Sequence, residues 1–238
     1  MTPLTRPSYS GISWACNAGV KKIHVVKDWP NPNPVAESDK VPSKITYQNG
    51  KPNQWGFKVD YKEQSLLWFK LLLDEKSKVG RDSENVTCTL RQLAALKKAP
   101  EDVAADYLSL VWQYAKDDIR RERGDGWDEI YTTRAVLTVP AIWSEAAKAR
   151  TLRIARKAGI PENVSLVTEP EAAALAVFRD RKDEGDAFEV GDCFVVCDAG
   201  GGTVDLISYK ICALNPLQVE ECAVGDGVYA RTQHIRDC

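Results

Sequence analysis

The chain has 238 residues, a hydrophobic content of 44% and seven tryptophans, enough apolar material for one large or two modest globular domains. Its formal net charge of -2 and isoelectric point near 5.8 give no general attraction to nucleic acid or to an anionic membrane. No apolar run reaches bilayer length and MTPLTRPSYS lacks a signal-like pattern, so a cytoplasmic or nuclear location is expected, with neither nucleic acid nor membrane as a partner.

From Ser10 to Trp29, Ile12 and Trp14 followed by Ile23 and Val25 predict a hairpin turning at Asn17-Ala18-Gly19. Pro30, Pro32 and Pro34 predict a rigid surface loop, and Asn49-Gly50 predicts the turn between two further short strands. Ser65 to Asp74 is so densely apolar, with Leu66, Leu67, Phe69 and Leu71 to Leu73, that it reads as a helix covered on more than one side. Glu101 to Arg121 follows Pro100 and carries two apolar stripes. Val103, Tyr107, Leu110, Val111 and Tyr114 form one, and Leu108, Trp112, Ala115 and Ile119 the other, so this helix is expected between two layers.

Arg134 to Val139 reads as a strand stopped by Pro140. A helix is expected from Ser144, a good N-cap, to Gly159, a good residue beyond a C-terminus, with Pro161 preventing continuation. Thr168-x-x-Glu171 fits a capping box for a helix through Phe178. The charged run RDRKDEGDAFEVG, Arg179 to Gly191, has no core pattern and marks a boundary between two parts of the chain. Leu217 to Val224 predicts one more strand. The seven cysteines are scattered and only two histidines accompany them, which excludes a disulfide framework and a Cys/His zinc pattern. Cys193 and Cys197, four apart on one strand face, read as buried reduced thiols rather than metal ligands.

The chemistry is concentrated in VVCDAGGGTVDLISYKI, Val195 to Ile211. β-branched residues flank three glycines, which predicts a hairpin turning at Gly200, Gly201 and Gly202. Successive N–H groups around such a turn form a concave nest for anionic oxygens, and no side chain obstructs a phosphate. Asp198 and Asp205 then suit Mg²⁺ held through its waters, because that ion shares itself between carboxylates and phosphates. The simpler reading is a plain glycine hairpin between two strands.

DAGGGTVD resembles the second phosphate motif of the actin-like ATPase superfamily, in particular of the seventy-kilodalton heat-shock chaperone family. AVLTVPAIWSEAAKARTLRIARKAGI, from Ala135, resembles that family's strand, Val-Pro-Ala turn and helix, and LVTEPEAAALAV, from Leu166, resembles the segment connecting its two lobes. The resemblance covers residues 135 to 212 and continues more faintly upstream to about Tyr9; its wording is nearest to a divergent branch abundant in fungi and present in a few animals.

The resemblance implies an α/β, ribonuclease-H-like actin-type ATPase fold with ATP and Mg²⁺ as cofactors. Residues 1–187 would form lobe one and 188–238 the start of lobe two. It further implies that Gly200, Gly201, Gly202 and Thr203 hold the β- and γ-phosphates, that Asp198 and Asp205 organise the ion and the attacking water, and that Glu169 is an acidic partner near that water. Pro140 and Lys148 would couple nucleotide state to lobe movement, and Lys70 would be the catalytic lysine, the alternatives being a strand-ending proline and solvated lysines. Client or co-chaperone proteins would be the partners. MTPLTRPS stands where the family carries a strand ending in Asp-x-Gly-Thr-Thr, and the chain stops before the adenosine motif. The fold is therefore expected to be incomplete at both ends, and a defective fragment or non-catalytic interaction module without ATPase activity is the alternative function.

Overall fold

The computed structural model describes residues 8–18, 22–31, 37–75, 84–184, 188–199, 203–215 and 217–229, with the backbone alone at 182–184, 199, 203–205 and 224–229. It is a mixed α/β structure divided into two units, residues 1–135 with 149–164 and residues 136–148 with 165–238.

In the first unit, β1 (Tyr9–Ser10) pairs antiparallel with β4 (Val41–Pro42), and β2 (Ser13–Ala15) with β3 (Ile23–Val25). Trp14 faces His24 across the second pair and the rings stack at 4.3 Å, so the expected first hairpin is present, its turn lying partly outside the described residues. β5 (Ile45–Gln48) and β6 (Lys51–Trp55) meet through Asn49 and Gly50 at φ 52° and 75°. Two consecutive left-handed residues are what a tight hairpin requires, and Asn-Gly supplies them at least steric cost.

Three helices follow: α1 (Glu84–Leu96), α2 (Pro100–Arg123) and α3 (Trp127–Ile130). Sequence reading did not single out α1, although Val86, Thr89 and Leu93 recur at helical spacing and are buried. α2 starts with Pro100 at a position that has no intrahelical hydrogen bond to lose, and Asp102 Oδ2 accepts the Ala99 N–H at 3.0 Å. Its first stripe packs Val103, Tyr107 and Val111 into the core beside Trp55 and Phe69, with rings of Trp55 and Tyr107 edge-on at 6.1 Å. Leu108, Trp112 and Ile119 on the second stripe are only half-buried, so that side is less fully covered than expected.

Ser65 to Asp74 is not an α-helix. Leu66 makes an isolated antiparallel bridge to Ile45, Trp68 is left-handed at φ 60°, and only Phe69–Leu72 forms a 3₁₀ turn. An unbroken apolar run has no period and cannot by itself distinguish helix from buried irregular chain. The left-handed residue costs about 1–2 kcal/mol, but burial of Leu66, Phe69, Leu72 and Leu73 contributes about 1.5–3 kcal/mol each. Tertiary burial therefore outweighs the backbone strain. Thr89 fastens α1 to the same segment by donating to the Leu67 carbonyl at 2.8 Å.

β7 (Ala135–Val139) and β8 (Val164–Thr168) form a two-stranded sheet, and α4 (Glu145–Lys157) lies between them in sequence. Ser144 Oγ accepts the Ala147 N–H at 3.3 Å, confirming the N-cap. At the other end Gly159 has φ 81°, its N–H reaches the Arg156 carbonyl and that of Ile160 reaches the Ala155 carbonyl, both at 3.0 Å. This is the hydrogen-bond pattern of a Schellman motif, which the glycine makes accessible.

In the second unit α5 (Glu169–Glu184) is capped as expected, the Glu171 N–H donating to Thr168 Oγ1 at 3.3 Å. It runs beyond Phe178 into the charged stretch, where Arg179, Asp180 and Arg181 are exposed. β9 (Cys193–Ala199), β10 (Thr203–Leu214) and β11 (Leu217–Tyr229) form an antiparallel sheet in the order β11-β10-β9. Ala174 and Phe178 of α5 pack on one face with Phe194, Val196 and Ile211. Cys193 and Cys197 stand on the opposite face and are exposed, which corrects the expectation of buried thiols. They alternate with Phe194 and Val196, the residues that α5 covers.

Candidate functional site

The expected phosphate hairpin is made by β9 and β10. Val196 is opposite Ile207, Asp198 opposite Asp205, and Ala199 opposite Val204. Two acidic positions in direct register share one face of an antiparallel pair, and Phe194, Val196 and Asp198 alternate with exposed neighbours on β9. The turn at Gly200, Gly201 and Gly202 lies outside the described residues, as do the side chains of Thr203 and Asp205.

Behind the hairpin, Phe178 touches Phe194 edge-on with centroids 4.9 Å apart and Phe188 at 4.4 Å. Phe194 in turn lies beside Tyr209, its cross-strand partner, at 5.6 Å. Tyr209, buried on β10 against Phe194, is the member of this aromatic group that sequence reading missed. Desolvation, aided by the charges of Glu171 and Glu221, pushes the Tyr209 phenol above its ordinary value. The only sequence signal was its place in the Ile207, Tyr209, Ile211 alternation.

Glu169 opens α5, where a carboxylate is stabilised by the helix dipole. Pro140 follows β7 and its carbonyl accepts the Trp143 N–H at 3.3 Å, forming the turn into α4. On the first turn of α4, Lys148 Nζ pairs with Glu145 Oε1 at 2.8 Å. Lys70 belongs to the first unit, on the 3₁₀ turn between buried Phe69 and Leu72, and is itself half-buried. Asp198, Glu169, Pro140 and Lys148 belong to the second unit. Among the described residues no three His, Cys, Asp or Glu side chains gather as a metal-binding group. No helix among them is long and apolar enough to cross a membrane.

A protein-family model described as Hsp70 protein matches residues 73–220. Among curated proteins the chain is similar to the "Chaperone protein HscA homolog" of Cupriavidus necator, 36% identical over 118 residues, which is 50% of this chain and 16% of the relative. The HscA homolog of Verminephrobacter eiseniae is 37% identical over 109 residues, covering 46% and 15% of the two chains. That of Rickettsia bellii is 33% identical over 105 residues, covering 44% and 15%. The chain thus spans only about 16% of the length of these relatives. The expected fungal and animal branch is not borne out by these matches, which are to bacterial chaperones, and the reading as a defective fragment is not favoured.

Proposed function

The chain belongs to the Hsp70 family, and on that premise we propose that it is an ATP-binding protein whose nucleotide state gates its interaction with other proteins. The observation that carries this reading is the β9-β10 pairing, in which Asp198 and Asp205 are in register on either side of residues 200–202, within the span matched by the family model.

Residues 1–187 make up the first lobe of an actin-like ATPase fold and residues 188–238 belong to the second. Gly200, Gly201, Gly202 and Thr203 offer backbone N–H groups to the β- and γ-phosphates. Asp198 and Asp205 suit a hydrated Mg²⁺, since two carboxylates at paired positions hold its waters without displacing the phosphates. Bound Mg·ATP supplies the transferable phosphoryl group. Asp198 would orient the attacking water and Glu169 would assist it; positioning and charge neutralisation are what this chemistry asks of a protein.

Pro140 and Lys148, at the turn between β7 and α4, transmit nucleotide state, and client or co-chaperone proteins are the partners that respond. A cytoplasmic setting accords with six described cysteines that are all free.

Thermal unfolding with increasing Mg·ATP tests the reading. Native-state binding raises the melting temperature with ligand concentration. The rise should vanish in Gly201→Asp, which places a carboxylate in the phosphate nest, and ATP turnover should be lost in Asp198→Ala. Absence of any nucleotide-dependent shift in the unmutated chain would remove the proposal.

A further inference from the structure

The two outer edges of the β11-β10-β9 sheet are built differently. Along β11 the register with β10 slips three times, and Glu220 and Glu221 stand exposed. Bulges and charges are the devices that keep a sheet edge from pairing with another chain. β9 has little of either. Its seven residues, Cys193–Ala199, pair with β10 without a slip, contain no proline and carry a single charge, Asp198, near one end. Among the described residues β10 is the only strand beside β9, so the other edge of β9 has no ladder partner there. On the face away from α5, Val195 is 66% exposed and Leu206, on the neighbouring strand, 46%.

The residues of β9 also fix how this edge could meet a copy of itself. In an antiparallel pair with a two-fold axis at Val196, the midpoint of the strand, all seven residues are matched: Val196 meets Val196 of the copy, Val195 meets Cys197, Phe194 meets Asp198 and Cys193 meets position 199. No like charges are opposed, and Val195 and Cys197 form an uncharged row on the open face. Moving the axis to Val195 would set Asp192 opposite Asp198, which like-charge repulsion disfavours. A foreign segment of basic character would find only Asp198 to answer it along this strand, whereas the identical strand matches apolar with apolar along the open face.

We propose that the β9 edge is a self-association surface, on which a second copy of this chain adds its own β9 antiparallel about Val196, joining two three-stranded sheets into one of six strands. Seven residues at about 3.3 Å each make a seam roughly 23 Å long. Such a seam belongs with the small interfaces of weak, reversible complexes, so the dimer exchanges with monomer and is populated as concentration rises.

Sedimentation velocity of the reduced 238-residue chain tests this. The weight-average coefficient should rise with concentration toward that of a dimer. Val195→Lys combined with Cys197→Lys sets lysines opposite lysines across the axis at two exposed positions, and should give a monomer at every concentration with an unchanged far-ultraviolet circular dichroism spectrum. Val195→Cys tests the register without charging the edge. Directly opposed α-carbons of an antiparallel pair lie about 4.5–5.5 Å apart, within disulfide reach. Diamide, which takes two electrons and two protons from two thiols, should therefore link position 195 of one chain to Cys197 of the other, as read by peptide mass spectrometry. A concentration-independent monomer would overturn the proposal, including one whose β9 amides are protected from hydrogen exchange by another segment of the same chain. So would a dimer that survives the double lysine change, or diamide dimers of the Val195→Cys variant joined elsewhere than 195 to 197.

Discussion

Phe194 and Tyr209 are cross-strand partners on β9 and β10 with ring centroids 5.6 Å apart, so both strands contribute to the aromatic face behind the hairpin. Tyr209→Leu removes this ring contact and should destabilise the chain by about 0.5–1.5 kcal/mol in urea unfolding. Thr168→Ala removes the cap on the Glu171 N–H and should cost about 1 kcal/mol. A double-mutant cycle between Tyr209→Leu and Phe194→Leu should show coupling, since the two changes share one contact.

The same tyrosine predicts an alkaline effect. Its folded-state pKa is raised, so the native state favours the protonated phenol. That contribution is fully present below the unfolded value of about 10 and is lost as pH climbs through the folded value. Stability measured from pH 9 to 11 should therefore fall more steeply in the unmutated chain than in Tyr209→Phe. Equal slopes would show that Tyr209 ionisation is not linked to folding.

Asp198 and Asp205 should act in opposite directions on stability and on nucleotide binding. Like charges at directly opposed positions cost roughly 0.2–1 kcal/mol relative to neutral pairs, and these positions are in register. Asp198→Asn should therefore raise the melting temperature slightly without ligand while abolishing the increase caused by Mg·ATP. A variant that keeps the nucleotide response would remove Asp198 from the proposed ion site.

Two glycines separate conformational strain from steric conflict. Gly159 has φ 81° with no atom near an added Cβ, so Gly159→Ala carries only the left-handed penalty, about 1 kcal/mol. Gly56 has φ 59° and an added Cβ would lie 2.5 Å from Val41 Cγ2, so Gly56→Ala adds overpacking of about 1–3 kcal/mol in the core. Chemical denaturation should rank Gly56→Ala as clearly the more damaging.

Acid should loosen the start of α2. Hydrogen bonds from Lys157 and from the Ala99 N–H hold the Asp102 carboxyl below the usual carboxylate range. Its stabilising contribution is present above the unfolded value of about 3.9 and is lost as pH falls through the lower folded value. Asp102→Asn should reduce stability at pH 7 and flatten the dependence below pH 4, measured by denaturant unfolding across that range.

Local backbone chemistry was sufficient to determine several elements from sequence alone. Asn49-Gly50 specified a hairpin, Ser144 and Gly159 bracketed α4, Thr168 and Glu171 opened α5, and the residues around Asp198 and Asp205 specified paired strands. Each rests on a dihedral angle or hydrogen bond supplied within a few residues, and the family of the chain was legible from the same segments. The aperiodic run from Ser65 to Asp74 was different: its 3₁₀ turn depends on Leu66 bridging Ile45 and on burial that only the folded first unit provides. Tertiary structure likewise decided that Cys193 and Cys197 are exposed, because alternation says which residues share a strand face but not which face a helix will cover. Tyr209 is buried for the same reason, since the face of β10 that is covered is set by how α5 packs on the sheet and has no counterpart in local sequence.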